Sequence, residues 1–256
     1  KIQDGCDAFC TYCIVPHARG RSHSMPLEKV LANIQQLSKA GYREVVLTGI
    51  HLGVYGHDLT PATNLATVME RISESRPIDR IRLSSIEPLE ITTKIIDQMI
   101  ESDIFCRHFH IPLQSGDPGI LKSMGRPYSP QFFGDLINKI HEFMADAAIG
   151  ADVLIGFPGE SEAAFEETYN LIEKLPISYL HVFPFSERPG TKAANLSDKV
   201  DVRIVKDRCD RMRILGNAKR KKFYQKFIGQ VLPILVETNR VPSTNFLKGM
   251  SSNYLP

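Results

Sequence analysis

Short apolar runs alternate along this chain with longer stretches of helical period. Residues 45–48 (VVLT), 80–85 (RIRLSS), 107–113 (RHFHIPL), 148–156 (AIGADVLIG) and 179–185 (YLHVFPF) have strand length and strand composition. Between them the period becomes helical. Leu27, Val30, Leu31, Ile34 and Leu37 fall on one face, with Ser24 as the candidate cap, Pro26 in the first turn and Gly41 as the stop. Similar stripes occur at Ile95, Ile96, Met99 and Ile100, at Phe132, Leu136, Ile140 and Phe143, and at Phe165, Leu171, Ile172 and Leu175 ahead of Pro176. Such alternation predicts an α/β fold with a parallel sheet covered by helical crossovers. The segments after the strands are long and chemically rich: 49–56 (GIHLGVYG), 86–89 (IEPL), 114–117 (QSGD) and 157–160 (FPGE). That favours a partial (β/α)6 TIM-like barrel over a doubly wound sheet, with ligands gathered at the rim.

Composition adds exclusions. With 43% hydrophobic and 23% charged residues in 256, the chain is neither disordered nor coiled coil. No apolar run approaches the roughly 20 residues of a membrane span and no leader opens the sequence, so no membrane partner and a cytoplasmic location are expected. The first residue is Lys1 rather than Met, and residues 251–256 trail off after an apparent strand, so the chain reads as an excerpt of a longer protein. A net charge of +2 does not argue for nucleic acid by itself. Its distribution does: residues 203–226, inside a predicted long helix spanning 200–227, carry ten Lys or Arg against two Asp, densest at Lys219, Arg220, Lys221 and Lys222. That is either a solvated face or a phosphate-binding surface. Residues 230–237 (QVLPILVE) read as an edge strand containing Pro233.

Five cysteines, three of them clustered, do not make a secreted disulfide framework. Cys6, Cys10 and Cys13 have the spacing C-x3-C-x2-C, whereas Cys106 and Cys209 are solitary. Three readings are open for the trio. It could hold a [4Fe-4S] cube with one iron left free for a chelating ligand, form a structural zinc site closed by His17, or be three buried thiols. A chain with core stripes throughout does not need a zinc knuckle to fold, which favours the cube. Asp152 lies inside an apolar run, where an unpaired carboxylate is costly, so it should meet a polar partner. His17, His51, His108, His110 and His181 show no metal spacing in the sequence and read as structural.

The cysteine spacing with Tyr12 just before Cys13 resembles the signature of the radical S-adenosylmethionine (SAM) superfamily. The segments 2–6 (IQDGC), 13–16 (CIVP), 19–20 (RG), 111–116 (IPLQSG), 152–160 (DVLIGFPGE) and 185–191 (FSERPGT) resemble its methylthiotransferase branch. Segments 47–53 (LTGIHLG) and 82–88 (RLSSIEP) are most similar to enzymes of that branch acting on threonylcarbamoyladenosine in tRNA. The resemblance spans roughly residues 1–237.

This resemblance implies a radical SAM partial barrel over residues 1–195, a basic helical extension over 196–228, and over 229–256 the start of an RNA-binding, TRAM-like β domain. It implies Cys6, Cys10 and Cys13 as cluster ligands, and SAM bound near Tyr12, Gly49, Glu87, Gln114, Ser115, Asp152 and Gly156. Gln114 and Ser115 would hydrogen-bond the ribose or the methionine carboxylate, and Gly156, with Pro158 and Gly159, would let backbone approach the adenine. A plain reading of each remains: Gly49 as a turn glycine, Glu87 as a solvated loop acid, and Arg19, Arg21 and Arg188 as surface ion-pair residues rather than anion clamps. Reductive cleavage of SAM would give a 5′-deoxyadenosyl radical, with tRNA as substrate, a flavodoxin-like protein or other reductant as electron donor, and a methylthio group added at C2 of the modified adenosine. No acid–base catalytic residue is assigned. Sister activities on isopentenyladenosine tRNA or a ribosomal protein, and a zinc-stabilised RNA-binding module without catalysis, are the alternatives. Family members carry a preceding domain with three more cysteines for a second [4Fe-4S] cluster, so residues 1–256 are expected to cleave SAM without completing sulfur insertion.

Overall fold

The computed structural model describes residues 1–256. The chain opens with β1 (Gln3–Asp4), which pairs antiparallel with β2 (His23–Ser24) across a loop and the short helix α1 (Val15–Arg19). After α2 (Leu27–Lys39) comes β3 (Glu44–Leu47), and after α3 (Leu65–Ser75) comes β4 (Arg80–Leu83), parallel to β3 with Glu44 opposite Arg80. Helix α4 (Thr93–Glu101) leads to β5 (His108–His110). Helices α5 (Pro118–Met124) and α6 (Pro130–Phe143) lead to β6 (Ala148–Ile155), and α7 (Glu162–Lys174) to β7 (Tyr179–Pro184). Strands β5, β6 and β7 form a continuous parallel sheet. Parallel bridges from Gln3 to Gly49 and from Ile81 to Phe105 join the remaining strands to it, giving the order β1-β3-β4-β5-β6-β7. Six parallel strands with helices on one face make the expected partial barrel.

Alternation along each strand separates two environments. Ile81, Leu83, Phe109, Ile149, Ala151 and Val153 are buried in the apolar core, and Met69, Ile72, Ile96, Met99, Phe133, Ile137 and Phe165 on the helices join them there. The intervening residues, among them Arg82, His108, His110, Asp152, Tyr179 and His181, line the lumen. Five helices are capped as their sequences dictate, by Asn64, Thr92, Asp117, Ser129 and Ser161, each side chain accepting a backbone N–H three residues on. The expected cap of α2 is different: Ser24 belongs to β2 and its hydroxyl accepts the Gly56 N–H at 2.8 Å, while Pro26 starts the helix without a side-chain cap. Strand β5 is shorter than the run 107–113 suggests, although the Ile111, Leu113 and Gln114 amides still donate to β6.

The basic helix α8 (Val202–Gln225) packs on β6 and β7, with Gly216 against Leu180. Arg208 is almost wholly buried there and donates to Glu160 at 2.8 Å and to Glu162 at 2.8 Å. Beyond it, β8 (Ile234–Arg240) and β9 (Leu247–Ser251) form an antiparallel hairpin that begins after Pro233 rather than across it. The following residues close the lumen at the N-terminal ends of the strands. Arg80 donates to the Met250 carbonyl, Arg82 to the Ser251 and Ser252 carbonyls, and the Tyr254 ring stacks on His108 at 4.5 Å and on Tyr179 at 5.3 Å.

Removing Arg208 leaves Glu160 buried without its partner. Arg208→Met should therefore lower the unfolding free energy by about 3–5 kcal/mol in urea titration, whereas Arg203→Ala on the exposed start of the same helix should leave the midpoint in place.

Candidate active site

The three clustered cysteines sit in the loop between β1 and α1, half-buried and unpaired. The loop is held at both ends. Gln3 is buried at its base, where its amide donates to the Gly5 carbonyl and to Ser22 Oγ, both at 2.9 Å, and its Oε1 accepts the His51 N–H at 2.7 Å. Gly5 has φ +73°, and a Cβ there would come within 1.9 Å of the Arg21 carbonyl oxygen, so this turn requires glycine. At the far end Thr11 donates from its amide to the Met124 carbonyl and from its hydroxyl to the Ser123 carbonyl, and Ala193 donates to the Thr11 carbonyl.

Donors converge on the sulfurs. Ala8 N–H points at Cys6 Sγ at 3.4 Å, His51 Nδ1 is 3.5 Å from the same sulfur, and Arg126 Nη1 is 3.3 Å from Cys10 Sγ. Burial raises the Cys13 thiol pKa. His110, Asp152 and His181 form a group of three whose ligand atoms all lie within 4.8 Å of one another. His17 is exposed, its ring edge-on to Phe9 at 6.0 Å.

The C-terminal ends of the strands surround this loop. Glu87 is paired with Arg126, whose Nε also donates to Tyr128 Oη at 3.1 Å. Burial raises the Glu87 pKa against the opposing pull of Arg126. Gly49 packs against Gln3, where a Cβ would sit 2.9 Å from Oε1. Tyr12 lies edge-on to Phe157 at 6.5 Å. Gln114 has a left-handed φ of 67°, and its backbone bridges Asp152 and Leu154. Ser115 turns outward to α7, 3.3 Å from Thr168 Oγ1. Gly156 accommodates Val205 of α8, since a Cβ there would meet Val205 Cγ2 at 2.4 Å, and its amide donates to Glu160. Tyr12, Gly49 and Glu87 thus lie beside the cysteine loop, Ser115 and Gly156 face helices, and Asp152 lies on the lumen wall.

Residues 1–172 match the radical SAM superfamily. This chain belongs to the radical SAM superfamily. That family uses a [4Fe-4S] cluster and SAM. Threonylcarbamoyladenosine tRNA methylthiotransferase MtaB of Bacillus subtilis (strain 168) is 41% identical over 257 residues, covering 100% of this chain and 57% of the relative. The tRNA-2-methylthio-N(6)-dimethylallyladenosine synthase of Syntrophotalea carbinolica is 36% identical over 236 residues, 92% of this chain and 54% of the relative. The chain thus spans somewhat more than half the length of these two relatives. Among solved structures, the radical SAM methyltransferase TsrM from Kitasatospora setae, with cobalamin and a [4Fe-4S] cluster bound, aligns with TM-score 0.63 at 17% identity over 75% of this chain and 37% of that one. SuiB of Streptococcus suis bound to SAM aligns with TM-score 0.56 at 15% identity, covering 87% and 46%.

Two features of this radical SAM site escape sequence reading. Arg126 carries no motif, yet it links Cys10, Glu87 and Tyr128 through one buried guanidinium. The histidines lack metal spacing in the sequence, but His110, on β5, and His181, on β7, meet at Asp152, on β6. His110 Nε2 lies 2.7 Å and His181 Nδ1 3.2 Å from Asp152 Oδ1, and Tyr179 Oη lies 2.7 Å from His108 Nε2 and 3.0 Å from His110 Nδ1. Asp152 has the polar partners that its position demanded.

Burial, reinforced by Arg82 and the neighbouring histidines, lowers the His108 pKa to about 3. The unfolded chain then binds a proton that the folded one refuses between about pH 3 and the ordinary histidine value near 6.5, so stability falls as pH drops through that window. His108→Gln should flatten this part of the pH–stability curve when urea midpoints are compared from pH 7 to pH 4.

Proposed function

We propose that this chain is the catalytic barrel of a tRNA methylthiotransferase acting on N6-threonylcarbamoyladenosine, with residues 1–195 as barrel, 196–228 as basic extension and 229–256 as the start of an RNA-binding β domain. The observation that carries the reading is the cysteine loop: three free, half-buried thiols anchored at the rim of a partial barrel, with N–H donors aimed at their sulfurs.

Cys6, Cys10 and Cys13 would hold a [4Fe-4S] cluster, no side chain supplying a fourth ligand. When bound, that cluster and SAM supply a one-electron reductive cleavage and a carbon radical. The protein's part is placement and shielding. Gln3 and Thr11 fix the loop against β3 and α5. Arg126 places its guanidinium 3.3 Å from Cys10 Sγ, a hydrogen-bond donor to a sulfur that would ligate the cluster. Tyr12, Gly49 and Glu87 stand where a ligand on the cluster would lie, with the backbone of Gln114 beyond them; Ser115 and Gly156 face α7 and α8 and Asp152 faces the lumen, so these three are left out of the proposed SAM-binding set. An external reductant such as a flavodoxin-like protein supplies the electron.

For RNA, five of the nine cations on α8 are already committed to carboxylates. Arg203, Lys206, Arg208, Arg211 and Arg213 are paired with carboxylates. Lys219 donates to the Glu173 and Leu175 carbonyls at the end of α7, and burial lowers its pKa to about 8. The phosphate-binding face is therefore carried by Arg220, Lys221 and Lys222, with Lys219 as its half-buried anchor.

After anaerobic reconstitution the protein should be brown, absorb near ~400 nm, hold about four irons per chain and release 5′-deoxyadenosine with dithionite. Cys10→Ala should abolish colour and cleavage together, and a colourless protein holding one zinc would overturn the reading. For the substrate, RNA nucleosides from a deletion strain weighed by mass spectrometry should lack 2-methylthio-N6-threonylcarbamoyladenosine. Replacing Lys221 and Lys222 with Ala should weaken RNA binding and reduce the slope of log K against log salt by about 0.7 per lysine.

A further inference from the structure

Within the lumen is a cavity of about 510 Å³, in the range of small-molecule sites. Its wall carries a directed chain of hydrogen bonds. His108 Nδ1 is buried without a partner, so the assignment that uses every ring proton places the His108 proton on Nε2, donated to Tyr179 Oη. The Tyr179 hydroxyl donates to His110 Nδ1, and His110 Nε2–H donates to Asp152 Oδ1, with His181 Nδ1 3.2 Å from the same oxygen. Gly150 makes room for this chain, because a Cβ there would overlap the Tyr179 ring at 2.1 Å. The chain ends on one carboxylate oxygen. Asp152 Oδ2 and His181 Nε2 have no protein partner, and the His181 side chain is 51% exposed to the cavity side of the sheet. Ser84, on the same wall, has a buried hydroxyl without a partner.

Resting on the methylthiotransferase reading above, we propose that Asp152 and His181 read the substituent on N6 of the substrate adenosine, selecting a hydrogen-bonding ureido-amino-acid group over an apolar dimethylallyl group. A threonylcarbamoyl substituent brings N–H donors for Asp152 Oδ2 and a hydroxyl that donates to His181 Nε2. A dimethylallyl substituent would take water from both groups and return no hydrogen bond, the situation in which polar pockets discriminate most strongly. The chain from His108 through Tyr179 and His110 holds the carboxylate in position.

The test uses the reconstituted full-length protein of which residues 1–256 are the barrel, with both clusters loaded, and two anticodon stem-loop RNAs that differ only in the N6 substituent, with methylthiolated nucleosides weighed after competition. The wild type should prefer the threonylcarbamoyl RNA. His181→Phe should lower kcat/KM for that RNA by at least about tenfold, mainly through KM, without lowering it for the dimethylallyl RNA, and His181→Gln should restore most of the loss. Equal losses on both RNAs, or none, would overturn the proposal, as would a wild type that prefers the dimethylallyl RNA. Iron bound beyond both clusters, or zinc, that disappears in His181→Phe would assign the trio to a metal instead and also overturn it. Should His181→Phe fail to keep its iron–sulfur absorbance, the isosteric Asp152→Asn carries the same comparison. A wild type inactive on both RNAs would sink the methylthiotransferase reading itself, whereas activity with unchanged selectivity in the variants would sink only this inference.

Discussion

The side chain of Gln3 ties the reactive loop to the barrel. One buried amide satisfies a carbonyl and a hydroxyl on the loop side and the His51 N–H on the strand side. A buried amide that loses a partner costs more than the hydrogen bond returns, so the arrangement is all-or-none. The loop's other constraints act only once this one is met: Gly5 turning beneath Arg21, Thr11 reaching α5, and Arg126 reaching Cys10. A flexible loop with the same cysteines would bear the same thiols without a fixed relation to the strands.

Much of the architecture could be read from the residues because its causes are local. Strand and helix periods and chemically rich loops after strands are short-range signals, and they led to the parallel partial barrel. What lay outside that reading is non-local. Ser24 has the chemistry of a cap but is claimed by β2 and by the Gly56 amide. Gly156 looks like a ligand-approach glycine, yet Val205, nearly fifty residues on, occupies the space above it. Arg126 and the trio at Asp152 come together through packing of separate strands and helices, which no spacing rule encodes.

The basic helix shows how charge counts mislead without partners. Its excess of positive residues was the main electrostatic argument for RNA, but Arg208 and Arg211 serve the packing of α8 on α7 and the loop before it. Burial makes this pairing obligatory for Arg208, whose removal would strand Glu160. The exposed Arg203, Lys206 and Arg213 are paired with carboxylates, whereas the exposed Arg220, Lys221 and Lys222 of the last turns have no carboxylate partner.

Residues 250–254 give the barrel a floor, sealed by the arginine contacts to their carbonyls and by the stacked ring of Tyr254. Anything that enters from the thiol side meets, at the opposite end, an aromatic ring stacked on a histidine with a guanidinium over it. The depth to which anything can descend is set by a tyrosine contributed from the far end of the chain.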